Sequence, residues 1–396
     1  MNIDEVLTRG VDKVLPNKEE LADLMTKRVI RLYEGFDPTG VQLHIGHAVG
    51  LRKLRQFQDL GHKVIFLIGD FTAMIGDPTG KLSSRKILNR EEVLENAKAY
   101  KKQAGKILRF DGENPVEIKY NSEWLTKMSA IDFLKLSHNL TYSQIIERDM
   151  FQERIKQGQD VFMNEFLYPF MQAYDSVAMD VDLEIGGNDQ TFNMLMGRKL
   201  MRNILHKDKF VMTTPLLTDS KGVKIGKTEG NVIGLSDQPD EFYGKIMSLN
   251  DDAISPCFNL LTDIPSTEIK SMEQQIKSGE NPIKFKKLLA FTLTKWLNGD
   301  SSAQRAQEVF EKTIQAGEAP AEIPVFRLSS LPNGSTIIDL LEKSKAVASR
   351  GEARRLLAQR GVAINQLPIT NIQLPMKTLK TGDIIKIGKR KWLKIL

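Results

Sequence analysis

His44-Ile45-Gly46-His47 and Lys224-Ile225-Gly226-Lys227-Thr228 are the two segments whose residue types and spacing suit phosphate chemistry. The first lies where the apolar run Arg31 to Phe36 gives way, through the turn Asp37-Pro38-Thr39-Gly40, to a stretch with Leu51, Leu54, Phe57 and Leu60 on one helical face. Free backbone N–H groups and the positive end of a helix dipole at such a junction attract an anion, and two imidazoles add donors. The second segment follows the strand-like Val211 to Leu217 and the turn Thr218 to Gly222. Lys224 and Lys227 offer two ammonium groups to a triphosphate, and phosphoryl or nucleotidyl transfer needs little beyond positioning and charge neutralisation. Taken singly, a solvated Lys/Gly loop, or one surface histidine beside one held in a turn, explains either segment.

A P-loop does not fit. Gly222 to Gly226 has three spacers where four are needed, and Gly76-Asp-Pro-Thr-Gly80-Lys81 is short in the same way and ends in Leu82. The single cysteine, Cys257, excludes an internal disulfide and a cysteine-based zinc site, and reads as core filler in a reducing compartment. No apolar run reaches the length of a membrane span, and Met1 to Glu5 lacks the start of a signal peptide, so a cytoplasmic protein without membrane association is expected.

Charge is uneven along the chain. Residues 333–396 carry 13 Lys and Arg against 4 Asp and Glu, a net of +9, whereas the whole chain is only +6. A polyanion partner is therefore expected at the C-terminal end and need not touch the rest.

The elements that would position these residues fall into a sequence of units. Residues 1–30 read as a polar helical arm. Residues 31–217 alternate strand and helix, with the buried run Val64 to Ile68, a helix over Glu91 to Ile107, a short strand at Val116 to Ile118 and a mostly helical stretch over 131–180. That alternation argues an α/β fold with a parallel sheet, a Rossmann-like domain whose ligands lie beyond the carboxyl ends of the strands. Residues 218–315 comprise the lysine-rich loop and an all-α domain, 316–332 have linker composition, and 333–396 read as a small α+β module, with helical stripes at Ile337, Ile338, Leu340 and Leu341 and at Ala353, Leu356 and Leu357.

Together, the histidine and lysine segments, about 180 residues apart, resemble the two signatures of class I aminoacyl-tRNA synthetases. Five motifs in order resemble the bacterial tyrosyl-tRNA synthetase family: Tyr33 to Thr39, Leu43 to His47, Gly69-Asp70 through Ile75 to Lys81, Tyr168 through Gln172 to Asp175, and Gly186 to Gln190. Ser349 to Leu356, followed by Gly361-Val362 and Asn365, is similar to the S4 RNA-binding module.

The resemblance implies roles. Tyr33 and Asp175 would meet the phenolic hydroxyl of L-tyrosine, the family's known means of rejecting phenylalanine. Asp77, Tyr168 and Gln172 would hold the substrate ammonium. Gln190 would lie beside the reacting carboxylate, Asp189 on the ribose, and Gly35, Asp37 and Gly46 along the nucleotide. His44, His47, Thr39, Lys224, Lys227 and Thr228 would stabilise the phosphorus in transfer and the departing pyrophosphate. ATP would be a substrate that carries its own Mg2+, with no metal site and no tightly bound cofactor in the protein. Arg350, Arg354 and Arg355 would face tRNA(Tyr), with Lys81 and Arg85 near the acceptor stem, in a homodimer joined through the 131–165 region.

The lysine signature usually reads Lys-Met-Ser-Lys-Ser. Ile225, Gly226 and Thr228 replace three of its five residues here, and both lysines remain. Two other readings stay open: an RNA-binding protein derived from a synthetase but without activation activity, and a tryptophan-activating relative, which indole's lack of a hydroxyl disfavours.

Overall fold

The computed structural model describes the chain except residues 1, 78–87, 140, 147–148, 220–221, 226–231, 316–322, 333, 372–373, 376–377 and 389–390. It divides into two compact units, Met1–Asp300 and Ser301–Leu396.

The first unit is built on a six-stranded sheet. Its strands are β1 (Lys13–Leu15), β2 (Arg31–Phe36), β3 (Lys63–Ile68), β4 (Glu117–Tyr120), β5 (Leu183–Gly187) and β6 (Phe210–Thr214), in the spatial order β1-β6-β5-β2-β3-β4. Every pairing is parallel except β1 with β6. Val64 to Ile68 are all buried, as expected of a central strand covered on both faces. The chain runs from β2 outward to β3 and β4, then returns to place β5 on the other side of β2. The crevice beyond the carboxyl ends of β2 and β5 is thus the topological switch point, where open α/β sheets bind ligands.

The segment expected to be a helical arm departs from that expectation. Helices Ile3–Thr8 and Lys18–Lys27 flank β1, which adds an antiparallel edge strand to the sheet. The arm is also tied inward: Lys53 donates to the carbonyls of Val6 and Arg9 at 2.7 and 2.8 Å. Helices Pro239–Met247, Ile254–Leu261, Ser266–Lys277 and Ile283–Asn298 occupy the stretch expected to be all-α. They belong to the same compact unit as the sheet. Arg9 and Arg52 both donate to Thr262 O, at 2.7 and 2.8 Å, at the end of one of them. Cys257 is fully buried and its thiol is pushed up to about 12 by burial, in keeping with a packing role.

The second unit holds a five-stranded sheet in the order β7-β11-β10-β8-β9, with β7 Val325–Phe326, β8 Val362–Ile364, β9 Leu367–Pro368, β10 Ile384–Ile387 and β11 Lys391–Ile395. Helices Ile337–Lys343 and Arg350–Ala358 supply Ile337, Leu340, Leu341, Ala353 and Leu357 to its core. Residues expected to be linker include β7, which pairs in parallel with β11. No helix among the described residues is long and apolar enough to cross a membrane.

Candidate active site

A single cavity at the switch point is lined by Tyr33, Gly35, Asp37, Thr39, His44, Gly46, His47, Asp77, Tyr168, Gln172, Asp175, Asp189, Gln190 and Lys224. The sequence-expected residues for tyrosine, ATP and catalysis that lie within the described part of the chain are therefore together. Lys81, Arg85, Lys227 and Thr228 lie outside the described residues.

The histidine pair is set by the start of helix Ile45–Asp59. His44 is its N-cap, and His44 Nδ1 accepts from Gly46 N at 3.1 Å while His47 Nδ1 accepts from His44 N at 3.0 Å. An imidazole whose Nδ1 accepts carries its proton on Nε2 when neutral. Both rings, whose centroids are 3.9 Å apart, are thereby tautomerically fixed as Nε2–H donors. A strap formed by residues 233–235 crosses this turn: Ile45 N donates to Ile233 O at 2.9 Å, Leu235 N to Leu43 O at 2.8 Å, and His44 bridges Gly234. Asp237 pins the strap, accepting from Gly234 N and from Lys245 Nζ, each at 2.8 Å.

Tyr168, Gln172, Asp175 and Ser176 share one face of helix Met163–Met179, because spacings of three and four residues stack on a helix. Tyr168 donates its hydroxyl to Asp37 Oδ2 at 2.9 Å, which leaves its oxygen able to accept. Thr72 donates to the other Asp37 oxygen at 2.7 Å. Gln190 donates to Asp77 Oδ2 at 2.8 Å. Asn193, fully buried, donates to Gln172 Oε1 at 2.9 Å and to Gln190 Oε1 at 3.0 Å, so one amide orients two others.

At the deep end, Asp175 accepts from Trp124 Nε1 at 2.8 Å and from Asn121 Nδ2 at 3.3 Å. Burial holds its carboxyl well above the usual carboxylate range; those two donors oppose the shift and the negative charges of Glu184 and Asp37 add to it. Tyr33 is buried on β2, with its hydroxyl 2.9 Å from Ser176 Oγ. Burial, followed by the neighbouring charges of Glu184 and Asp175, raises that hydroxyl's pKa well above its ordinary value and keeps it neutral. Lys209 donates to Ser176 Oγ at 2.8 Å and is ion-paired with Glu184, beneath the pocket. At the opposite end, Lys224 stands 3.0 Å from Asp189 Oδ2, and the next residue, Ile225, donates its N–H to Leu217 O.

A deep polar pocket thus shares one cavity with a helix N-terminus and two fixed imidazole donors, and a lysine stands at its edge. The family model described as tRNA synthetases class I (W and Y) matches residues 25–315. A tyrosine–tRNA ligase of Thermotoga maritima is 42% identical over 394 residues, which cover 99% of this chain and 96% of the relative. The chain belongs to the tyrosine–tRNA ligase family of class I tRNA synthetases. Another tyrosine–tRNA ligase, from Aquifex aeolicus, is 39% identical over 393 residues, covering 99% of this chain and 97% of the relative. The fold is also that of a tyrosyl-tRNA synthetase from Archaeoglobus fulgidus solved with L-tyrosine, with TM-score 0.61 at 23% identity over 77% of this chain and all of that one.

In this member of the tyrosine–tRNA ligase family, the residues of the site not read from the sequence are the supports: Ser176, Glu184 and Lys209 behind Tyr33, Asn121 and Trp124 on Asp175, Asn193 between the two glutamines, and Asp237 on the strap. Their signal is faint. Glu184 within the apolar Leu183 to Ile185 is the exception, since a charge in a buried strand needs a partner.

In the second unit, Arg354 and Arg355 are exposed on helix Arg350–Ala358. Arg350, expected to face tRNA with them, forms ion pairs with Asp339 and Glu342.

Proposed function

We propose that this protein activates L-tyrosine with ATP and charges tRNA(Tyr). The observation that carries this reading is the single cavity joining Asp175 and Tyr33 to the His44–His47 helix N-terminus. A phenolic hydroxyl meets Asp175 and Tyr33 at the closed end. The ammonium meets Asp77, Tyr168 and Gln172, a carboxylate and two neutral acceptors. Gln190, whose amide nitrogen donates to Asp77, lies beside the amino acid's reacting carboxylate.

In the first step an oxygen of the tyrosine carboxylate attacks the α-phosphorus of ATP. The bond from that phosphorus to the bridging oxygen breaks, and pyrophosphate leaves with its electron pair. His44 and His47 present Nε2–H donors, helix N–H groups add their dipole, and Thr39, Lys224, Lys227 and Thr228 offset charge on the departing phosphates. No side chain becomes covalently attached. Magnesium enters with ATP as part of that substrate. In the second step a hydroxyl of the terminal tRNA ribose attacks the tyrosyl carbonyl and adenylate leaves.

Arg354 and Arg355 supply phosphate contacts to tRNA in the second unit, and Arg350 orders their helix. The reading carries a homodimer, supported by exposed apolar side chains in the 131–165 region, among them Leu134, Tyr142 and Met163 at 67%, 69% and 74% exposure. It also places the protein in the cytoplasm, with its tRNA. Tyrosine-dependent exchange of labelled pyrophosphate into ATP tests the proposal. Robust exchange with tyrosine and little with tryptophan is expected; no exchange, or equal exchange with tryptophan, overturns it.

A further inference from the structure

Glu34 lines the same cavity, between Tyr33 and Gly35 on β2, and has no task in the chemistry above. Its Oε2 is buried and has no hydrogen-bond partner among the described residues. The carboxyl fits into space that Gly50 leaves: a Cβ at Gly50 would stand 2.1 Å from Oε2 and 2.3 Å from Oε1. Gly50 follows Gly46 by four residues on helix Ile45–Asp59, so both lie on one face, and the carboxyl sits about one turn from the N-terminus that faces phosphate.

We propose that Glu34 meets ATP as the neutral acid, so that ATP binding and the Glu34 proton are coupled. The inference rests on the ATP reading above. A carboxylate with no donor on a buried oxygen, in a cavity that also takes a polyanionic triphosphate, is opposed both by its own desolvation and by the ligand.

Among the described residues, the neighbouring charges do not relieve it. On the helix, His44 and His47 use Nδ1 for backbone N–H groups, and Lys53 Nζ is held by the carbonyls of Val6 and Arg9. On β3, the residue opposite Glu34 is Phe66. On β5, Glu184 is paired with Lys209; beyond it, Asp189 is paired with Lys224. Asp37, from the turn after β2, and Asp77 add carboxylates to the same cavity, and Asp175, whose own carboxyl burial holds well above the usual range, brings no positive partner. On β2 itself, Arg31 pairs with Glu117. Burial pushes the Glu34 carboxyl up to about 8, so it is neutral at pH 7 and ionises in the mildly alkaline range.

The test is pyrophosphate exchange at saturating tyrosine with ATP varied across pH. The KM for ATP should stay level to about pH 8 and then rise, toward tenfold per further pH unit, while Glu34→Gln stays level over the same range. Calorimetry with a non-cleavable ATP analogue at about pH 8.5, in buffers of different ionisation enthalpy, should show proton uptake by the wild type and none by Glu34→Gln. Gly50→Ala, whose Cβ displaces the carboxyl toward solvent, should raise the KM for ATP at pH 7, and Glu34→Gln/Gly50→Ala should reverse most of that rise. The same alkaline rise in Glu34→Gln, or a wild type without proton uptake, overturns the proposal. Absence of tyrosine-dependent exchange at every pH would instead remove the ATP reading on which it stands.

Discussion

The hydroxyl of Tyr33 lies 2.9 Å from Ser176 Oγ, and Lys209 donates to that same oxygen at 2.8 Å. A residue that resemblance assigns to substrate tyrosine is therefore anchored from behind by a buried ion pair between Glu184 on β5 and Lys209, just before β6. Asp175, one residue before Ser176, is held separately by Trp124 and Asn121. The two groups that would read the phenolic hydroxyl are thus fixed by different partners before any ligand arrives, which reduces the ordering cost of binding.

Replacing Asp175 tests the reading of the hydroxyl. Asp175→Asn keeps the shape but turns one of the two oxygens into an amide donor, and a buried polar group left without its partner costs roughly 1–3 kcal/mol. We expect kcat/KM for tyrosine to fall about 10- to 100-fold in pyrophosphate exchange, with the KM for ATP little changed. An unaltered kcat/KM would show that the hydroxyl is read elsewhere.

Lys209 is fully buried and pairs with Glu184, so Lys209→Met strands a carboxylate in the core. Breaking one partner of such a pair costs about 3–5 kcal/mol, whereas replacing both with apolar groups can be nearly neutral. Denaturant unfolding should show Lys209→Met clearly less stable than Lys209→Met/Glu184→Leu. Equal losses in the two proteins would refute the uncompensated-charge account.

Lys224 is held 3.0 Å from Asp189 at the cavity edge. If the ammonium acts on developing phosphate charge, Lys224→Ala should lower kcat for exchange by about 10²-fold or more, with tyrosine affinity preserved. A change confined to the KM for ATP would assign Lys224 to ground-state binding instead.

Asp237 holds the strap that crosses His44, through Gly234 N and Lys245. Asp237→Asn weakens the charged contact and should reduce kcat about 3- to 10-fold, while tyrosine KM moves little. Lys245→Met should reproduce the effect, and the double variant should be no worse than either single one. Additive losses would separate the two residues.

Arg354 and Arg355 are exposed in the second unit, whereas Arg350 is ion-paired with Asp339 and Glu342. Arg354→Glu/Arg355→Glu should raise the KM for tRNA at least about tenfold and flatten its salt dependence, leaving pyrophosphate exchange intact. Unchanged charging kinetics would remove these residues from the RNA face.

The sequence by itself determined the parallel α/β core, the strand–helix junction at His44, the helical stretch after Asp237 and the basic C-terminal module. Each of these is written in local periodicity, turn residues or local charge. It also named residues that the fold gathers around one cavity, because their types recur in a known order. It did not reveal that residues 13–15 join the sheet as β1, or that 325–326 do the same in the second unit, since strands of two or three residues carry too little periodicity to be read.

Only the tertiary structure decided which nitrogen of each imidazole carries the proton, because that follows from backbone donors aimed at Nδ1. It likewise decided that Gly234 reaches His44, that Ser176 and Lys209 stand behind Tyr33, and that Glu34 sits in the space left by Gly50. These relationships join residues that are distant in sequence, and their energetics come from exclusion of water. A side chain's type sets what it can donate, accept or ionise; how much that is worth depends on the solvent that packing removes around it.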